Sequence, residues 1–269
     1  MWILLLIWKS RVKFLTMTAR SFIKEITRSA IHASGKNFLR SLSNFQGKHS
    51  LIPTTPVIPT HYFKWTTELE NQSETIRVEF DNIWAKPDEI PSFHQISPDQ
   101  ARISRGKNWK TYGLFIFGNK VEPNCTMCPR TTEILDRIPG LQNAWYSILA
   151  PGYHIPAHRG PTRALIRCHL GLMVPKKDNQ CWIRIGTETT HWKEGKILLF
   201  DDTYEHEVKN ETNEHRAVLF IDIDRPMDNI GRFVNLSILR LMQATHYVKD
   251  PLKNIKSWNQ KVQSQDEAP

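Results

Sequence analysis

The sequence predicts a mainly β protein, built on a double-stranded β-helix (jelly-roll) core with flanking helices. Between residues 144 and 223, short runs of β-branched and aromatic residues follow one another closely, separated by Gly, Pro and Asn turns. Such closely spaced segments favour antiparallel pairing, and a jelly roll closes them with few exposed strand edges. The predicted strands are residues 144–149, 164–174, 181–185, 197–200 and 217–223.

Segments with helical or alternating periodicity flank this predicted barrel on both sides. Residues 61–90 carry apolar side chains at helical spacing and predict a capping layer, and residues 131–137 and 230–248 predict further helices. Residues 109–117 alternate between apolar and polar and predict one more strand. The polar stretch from residue 257 predicts a frayed tail.

Prolines near residue 56 suggest where the folded body begins. Pro53, Pro56 and Pro59 predict an extended linker, so the body is expected to start near His61. The predicted organisation is therefore a basic N-terminal segment with its linker at 1–60, a main domain at 61–228, and a C-terminal helix with a polar tail at 229–269.

The formal charge of +9 is concentrated at the N-terminus instead of being spread over the chain. Residues 1–50 hold nine Lys and Arg and one acid, Glu25, whereas the rest of the chain is close to neutral. Nucleic-acid binders carry a basic face on the folded domain itself, so this distribution argues against a nucleic-acid partner. A nucleic-acid binder, suggested by the pI of about 9.4, would have to bind through residues 1–50.

The N-terminal segment has the pattern of a basic amphipathic helix. Apolar residues recur at helical spacing between Phe22 and Phe45, with Lys and Arg among them, which is typical of a segment that lies on an anionic membrane surface. The apolar run from Trp2 to Trp8 is far shorter than the ~20 residues that cross a bilayer. Such a tether predicts a location at the cytoplasmic face of a membrane, most simply a bacterial inner membrane. An organellar transit peptide, or a disordered extension upstream of a later start at Met17, is the alternative.

The four cysteines are too few for a disulfide-built fold and favour a reducing compartment. Cys125 and Cys128 form a single C-x-x-C pair, which lacks the second half of a zinc site and any thioredoxin-like surroundings. We therefore interpret them as packed, reduced thiols instead of a metal or redox site.

Two histidines, 48 residues apart, stand out in dense motifs between predicted strands. His158 precedes Arg-Gly-Pro-Thr and His206 follows Asp-Asp-Thr-Tyr-Glu, so both imidazoles are expected in loops. Neutral imidazoles suit Fe(II), whose oxygenases commonly add a carboxylate two residues after the first His. Gly160 stands at that position here. Arg216, on a later predicted strand, has the planar fork that binds a dicarboxylate such as 2-oxoglutarate.

Together these motifs resemble the aspartyl/asparaginyl β-hydroxylase family of Fe(II)/2-oxoglutarate oxygenases. The resemblance covers residues 109–226 and rests on the order and spacing of the motifs as well as on their residues. Members of this family also have Gly in place of the carboxylate, so Gly160 agrees with an iron site. The matching pieces are Ser147-Ile-Leu-Ala-Pro-Gly, His158-Arg-Gly-Pro-Thr, Arg167-Cys-His-Leu-Gly-Leu, Glu194-Gly-Lys, Phe200-Asp-Asp-Thr-Tyr-Glu-His-Glu-Val and Arg216.

The resemblance implies an iron site with two protein ligands. His158 and His206 would bind Fe(II), and 2-oxoglutarate and water would complete the coordination. Asp202 would hold one of those waters from the second coordination sphere. The implied reaction consumes 2-oxoglutarate and O₂, releases succinate and CO₂, and installs a hydroxyl on an unactivated C–H bond.

The resemblance also implies a binding site for the cosubstrate. Arg216 would pair with the distal carboxylate of 2-oxoglutarate, and Ser147 would donate a further hydrogen bond to it. His169 and Arg167 would lie beside the cosubstrate or the substrate.

Two of these assignments have structural alternatives. Asp202 could cap the turn in Phe-Asp-Asp-Thr instead of serving the metal. Arg216 could form a surface ion pair with Glu214 or Asp222 instead of binding a cosubstrate.

The residues before Arg167 bear on the choice of substrate. Family members that act on Asp or Asn side chains grip the substrate carboxylate with two arginines two residues apart, and here Leu165 occupies the earlier position. Losing one cation weakens an acidic ligand, since a hydrogen bond to a charged group contributes about 1.5–3 kcal/mol. The sequence looks closer to the lipid A hydroxylase branch and favours a lipid A acyl chain. An acidic peptide substrate and a non-catalytic cupin-like binding module are the alternatives.

Overall fold

A computed structural model describes residues 40–176 and 178–266 of the chain. Its strands are β1 (Val57–Ile58), β2 (Trp109–Ile116), β3 (Asn119–Lys120), β4 (Leu141–Leu149), β5 (His154–His158), β6 (Leu165–Met173), β7 (Cys181–Ile185), β8 (Glu188–Thr190), β9 (Ile197–Phe200), β10 (His206–Asn210) and β11 (Arg216–Asp224). Its helices include α1 (Trp65–Asn71), α2 (Ser73–Trp84), α3 (Phe93–Ile96), α4 (Glu122–Met127), α5 (Pro129–Asp136), α6 (Asn229–Gln243) and α7 (His246–Asp266).

The strands form two antiparallel sheets that share one interior, as in a jelly roll. The seven-stranded sheet has the order β1-β9-β6-β11-β4-β2-β3, and the four-stranded sheet has the order β5-β10-β7-β8. Side chains from both sheets, among them Trp145, Ile183 and Val218, pack into a single cluster between them. The predicted fold class, a mainly β jelly roll with flanking helices, is confirmed.

The seven-stranded sheet is covered on both faces, so its central strand β11 is almost entirely buried. Alternate residues of a strand point to opposite faces. One set packs in an outer core against α1, α2 and α5, and comprises Ala217, Leu219, Ile221 and Ile223. The other set faces the barrel interior, and comprises Arg216, Val218, Phe220 and Asp222.

Several predicted elements are confirmed, and five short strands, β1, β3, β5, β8 and β10, are missing from the prediction. The strands at 181–185 and 197–200 have the predicted bounds, and α1 and α2 form the predicted capping layer over the sheet. However, the expectation that His158 and His206 lie in loops was wrong, because they end β5 and begin β10. Pro156 obscured β5, yet proline is tolerated there because β5 is an edge strand.

The folded body begins earlier than the sequence suggested. The chain divides into two compact units, with the second running from Gln46 to Pro269. In that unit Val57 and Ile58 pair with β9, and Ser50 forms a bridge to Met227. The expected linker is therefore part of the fold, since an extended, proline-containing segment can serve as an edge strand.

The C-terminal region consists of two helices instead of one helix and a frayed tail. Helix α7 continues well past residue 257 and packs on the rest of the second unit. Ile255 is buried, and the Trp258 indole donates to the Glu89 carbonyl oxygen at 2.7 Å. These contacts order a stretch whose polar composition had predicted disorder.

The predicted N-terminal amphipathic helix falls largely on residues 1–39, which lie outside the described residues, so it stays a prediction. Residues 40–48 are helical. Among the helices that the structure describes, none is both long and apolar enough to cross a bilayer.

Candidate active site

The pairing of β5 with β10 brings the two predicted iron ligands together. His158 is the last residue of β5, His206 is the first residue of β10, and the two are direct cross-strand partners. Their ring centroids are 4.2 Å apart. A register error of one residue would move one imidazole to the opposite face of the sheet, so the pairing itself creates this site.

Hydrogen bonds fix the tautomer of both imidazoles in the same way. Nδ1 of His158 donates to the carbonyl oxygen of Pro156 at 2.8 Å, and Nδ1 of His206 donates to that of Tyr204 at 2.9 Å. Since a carbonyl oxygen only accepts, Nδ1 must carry the proton in each ring. Each neutral ring therefore keeps a free lone pair on Nε2, which is the state that a metal ligand requires.

Burial keeps both rings neutral. Desolvation, together with the adjacent His158 and the Arg167 guanidinium, lowers the pKa of His206 to about 3. The pKa of His158 is also lowered, mainly by burial. In the described part of the chain, no three His, Cys, Asp or Glu side chains converge as a metal-binding group. The site thus offers two imidazole ligands.

Asp202 occupies the space in which a side chain at residue 160 would lie. A Cβ built on Gly160 would be 2.3 Å from the carboxylate of Asp202. The Gly160 amide also donates to the backbone carbonyl of Asp202 at 2.7 Å. Glycine is therefore required here by the close approach of a carboxylate, and that carboxylate comes from a different part of the chain.

The carboxylate of Asp202 is buried beside Arg167 and lines the same cavity as His158. Burial raises its pKa to about 6, although the Arg167 guanidinium opposes this shift. The neighbouring Asp201 caps the turn, since it accepts from the Thr203 amide at 3.0 Å. The Thr203 amide in this turn is therefore satisfied by Asp201 and not by Asp202.

Arg167 connects the two buried carboxylates of the interior. Its guanidinium lies 3.1 Å from Asp202 and 2.9 Å from Asp222. Asn143 donates to the same Asp222 at 3.1 Å. The sequence reasoning missed Asp222 and Asn143 as site residues, although an acid inside the apolar run of β11 was the available signal.

Arg216 is fully buried, and among the described residues no carboxylate lies within ion-pair distance of it. Nη1 donates to the Ser147 carbonyl oxygen at 3.3 Å, the guanidinium stacks on Trp192 at 4.6 Å, and Nε has no partner. Burial lowers its pKa to about 10. The surface ion pair weighed above does not form. A buried guanidinium without a counter-ion instead fits an anion-binding site.

His169 and Ser147 line the same part of the interior. The Trp192 indole donates to Nδ1 of His169 at 3.2 Å, so the proton of this neutral ring is on Nε2, which has no partner. The Ser147 hydroxyl accepts from the Trp109 indole at 3.0 Å and keeps its own hydrogen for another acceptor. Around Arg216 there are thus two further donors.

A cavity of about 340 Å³ opens beside His158 and Asp202. Its floor is the inner face of the seven-stranded sheet, and most of the lining surface is apolar, although charged side chains such as Arg102 and Arg159 also line the cavity. The apolar lining residues include Phe93, Ile96, Ile103, Trp109, Ile116, Phe117, Trp145, Leu165, Phe220, Met242 and Ile255. Two buried polar atoms of lining residues, Thr111 Oγ1 and Trp145 Nε1, have no partner among the described residues.

Cys125 and Cys128 do not belong to this site. Both are buried free thiols, and the Cys125 thiol donates to the Leu114 carbonyl oxygen. Burial raises the pKa of both thiols, to about 12 for Cys128, which keeps them protonated and inert. This geometry agrees with packed, reduced thiols.

The sequence pattern of the aspartyl/asparaginyl β-hydroxylase family matches residues 70–226, which is more than half of the chain. The chain belongs to the aspartyl/asparaginyl β-hydroxylase family. It is 41% identical to the ornithine lipid ester-linked acyl 2-hydroxylase of Rhizobium tropici, over 82% of this chain and 79% of that protein. The family assignment confirms the resemblance and identifies the chain as a hydroxylase of this family.

Other relatives match over smaller shares of their length. The aspartyl/asparaginyl beta-hydroxylase of Homo sapiens is 33% identical over 70% of this chain, which spans about a quarter (24%) of that protein. Among solved structures, a 2OG-Fe(II) oxygenase family oxidoreductase from Burkholderia pseudomallei is similar over 44% of this chain and 67% of its own, with 10% identity and a TM-score of 0.37. A structural likeness of this size carries no weight for activity.

Proposed function

We propose that this hydroxylase depends on Fe(II) and 2-oxoglutarate and acts on an acyl chain of a membrane lipid. The observation that carries the proposal is an apolar cavity that opens beside two neutral imidazoles with free Nε2 lone pairs.

The donor set fits Fe(II). His158 and His206 would hold the ion through Nε2, and the carbonyls of Pro156 and Tyr204 keep each ring oriented through Nδ1. Asp202 would hold a water on the metal. The Asp202 carboxylate is itself paired with Arg167. Bound there with 2-oxoglutarate and O₂, iron supplies the oxidising power that converts a C–H bond into C–OH while the cosubstrate becomes succinate and CO₂.

The unpaired donors of the interior fit the cosubstrate. Arg216 would bind the distal carboxylate of 2-oxoglutarate, because it is a buried cation that has no counter-ion among the described residues. Ser147 and His169 each have a hydrogen to donate nearby. All three are held on strands of one rigid sheet, so they would orient the dicarboxylate with little loss of side-chain entropy.

The cavity favours an acyl chain over an acidic side chain. Arg167 is already neutralised by Asp202 and Asp222, and Leu165 stands where a second cation would be needed for a carboxylate clamp. The unpartnered donors of Thr111 and Trp145 would suit an oxygen atom of the substrate, such as an ester carbonyl.

The relative from Rhizobium tropici is named for carbon 2 of an ester-linked acyl chain in an ornithine lipid. We therefore propose hydroxylation of the acyl carbon next to the carbonyl. Ornithine lipid and the predicted lipid A are the two lipid substrates to compare. The human relative is named for Asp and Asn residues, which is the second candidate activity.

Mass spectrometry of lipids tests the proposal. Wild type, His206→Ala and His154→Ala would be expressed in bacterial hosts that make ornithine lipid or lipid A but lack an acyl hydroxylase. His154 is the matched control, because it lies on β5 but is exposed and pairs with Glu207. We expect one added oxygen on a lipid acyl chain with wild type and His154→Ala, and none with His206→Ala.

Two outcomes would contradict the proposal. Oxygen added to Asp or Asn peptides, but to no lipid, by the purified protein would shift the substrate to the second candidate. Hydroxylation that persists without 2-oxoglutarate, or with His206→Ala, would remove the proposed chemistry.

A further inference from the structure

Helix α6 presents large apolar side chains to solvent instead of to the protein. Ile230, Phe233 and Leu241 are 63%, 74% and 71% exposed. At 100° per residue they share one side of the helix with Ser237. The opposite side carries the contacts to the barrel, through Gly231, Asn235 and Leu239.

The charges around this face are predominantly basic, with Asp228 at the helix N-cap and Asp250 on α7 as the nearby acids. No acid occurs between Asn229 and Gln243, where Arg232 and Arg240 are both exposed. Helix α7 adds exposed lysines on its outer side, namely Lys249, Lys253 and Lys256. An apolar face with a basic rim complements an anionic lipid surface.

The helix that carries the exposed face also contributes to the lining of the candidate substrate cavity. Met242, the residue after Leu241, lines the cavity, as do Pro251 and Ile255 of α7. A lipid surface that contacts the outer side of α6 would thus be separated from the cavity lining by the width of one helix.

We propose that the outer face of α6, defined by Ile230, Phe233, Ser237 and Leu241, docks the enzyme on an anionic lipid bilayer and positions the cavity to take its acyl chain from that bilayer. The role of the cavity in this statement rests on the proposed function. The docking surface itself requires only the exposed side chains and the basic rim.

A fluorescent label at residue 237 gives a readout specific to this face. Ser237 is exposed and its hydroxyl bonds only to the Phe233 carbonyl, while the four native cysteines are buried, so Ser237→Cys can be labelled selectively with a polarity-sensitive fluorophore. The full chain would be mixed with vesicles of phosphatidylglycerol and phosphatidylethanolamine, or of phosphatidylcholine alone. We expect a blue-shifted emission with the anionic vesicles and a weaker response with the neutral ones.

Matched controls separate this face from other membrane contacts of the full chain. Val78→Cys, equally exposed at 61% on α2, should report no change with either vesicle. Adding Phe233→Ser and Leu241→Ser to the label at 237 should weaken the response at least about 30-fold in lipid concentration, given the transfer free energy of two large apolar side chains. The same double substitution should leave turnover of a detergent-dispersed lipid substrate unchanged while slowing turnover of the lipid in vesicles.

Three results would overturn the docking surface. These are an unchanged emission at residue 237 with bound vesicles, an equal response at Val78, or a blue shift that depends on protein concentration without lipid, which would assign the face to self-association. The test is independent of catalysis, because His206→Ala should keep the label response while losing hydroxylation.

Discussion

The two faces of the seven-stranded sheet bury very different groups, although the same strands supply both. The outer core consists mainly of apolar and aromatic side chains, such as Leu219 and Tyr146, packed against helices, and the Tyr146 hydroxyl is paired with buried Thr131. The barrel interior contains apolar side chains together with Arg216, His169 and Asp222, all buried. Successive residues of a strand face opposite ways. Neighbouring residues of one strand therefore serve the apolar outer core and the candidate site in turn.

This difference indicates that the interior face of the sheet contributes less to folding stability than the outer face. A buried cation without a counter-ion costs free energy, whereas a fully apolar face contributes it. The unpaired donors of Arg216 and His169 therefore mark the interior as a binding surface, and substitutions on the two faces should differ in sign as well as in size.

The largest effect on folding is expected from Leu219→Ala on the outer face. Leu219 is fully buried between Tyr146 and Leu170 on the neighbouring strands, and its truncation leaves a cavity that costs about 2–5 kcal/mol. Urea unfolding should show this loss, while the KM for 2-oxoglutarate stays unchanged below the unfolding transition. A changed KM would mean that the two faces are coupled.

The next effect is expected from Arg216→Met in the interior. Losing charge-assisted hydrogen bonds worth about 1.5–3 kcal/mol should raise the KM for 2-oxoglutarate about 10- to 100-fold. Stability of the ligand-free protein should be unchanged or higher, because an uncompensated buried charge is removed. Measuring both quantities distinguishes binding from folding.

Arg225→Met is the matched control for Arg216→Met. Arg225 is equally buried but forms an ion pair with Asp201 at 2.6 Å. Its removal takes away the shorter of the two ion pairs of buried Asp201, which keeps Arg163 at 3.3 Å, and should cost about 1.5–3 kcal/mol of stability. Equal stability losses in the two variants would contradict the assignment of Arg216 as an unpaired ligand-binding cation.

Gly160→Ala and Gly171→Ala would each place a Cβ equally close to a neighbouring group, but we expect the first to affect the site and the second to affect folding. A Cβ at Gly160 would meet the side chain of Asp202 at 2.3 Å, whereas one at Gly171 would meet the backbone carbonyl of Lys193 at 2.3 Å. We expect Gly160→Ala to displace Asp202 and lower iron affinity or activity about 10- to 100-fold with a smaller change in stability.

Gly171→Ala should instead destabilise the fold, because a backbone carbonyl moves less easily than a side chain. Isothermal titration with Fe(II) and urea unfolding of both variants check this contrast. A larger stability loss in Gly160→Ala than in Gly171→Ala would contradict it.

The smallest effect on the free energy of unfolding is expected from lowering the pH, through protonation of His206. Burial holds the pKa of His206 at about 3, below its ordinary value of 6.5, so the unfolded chain binds more protons below pH 6.5. Stability from this group is therefore present above pH 6.5 and is lost as the pH falls toward 3, by about 1 kcal/mol between pH 7.5 and 5.5. His158 and His169 shift in the same direction, and Asp202, whose pKa is raised to about 6, opposes them.

The pH effect is measured as a difference between two metal-free proteins. The loss of unfolding free energy between pH 7.5 and 5.5 should be about 1 kcal/mol smaller in His206→Gln than in wild type. An identical pH dependence would show that His206 is not held neutral by burial.

Much of the fold was predictable because strand-forming segments and turns are local features. The strands at 181–185 and 197–200 were predicted with their observed bounds, and the helices between residues 61 and 90 were recognised from their periodicity. Strand β5 was missed because Pro156 interrupts its pattern, and β1 because its prolines indicate a linker. In both cases an edge position, which only the assembled sheet defines, makes the proline acceptable.

The sequence alone predicted most residues of the candidate site but not Asp222, since the spacing of the His158, Arg167, His206 and Arg216 motifs carries the family resemblance. Their mutual geometry and hydrogen-bond partners came from the tertiary structure. The free lone pairs of the two imidazoles, the need for glycine at 160 and the absence of a counter-ion at Arg216 all depend on strand register between residues far apart in the chain. The physical reason is that register sets which side chains meet and which polar atoms are left without partners once water is excluded.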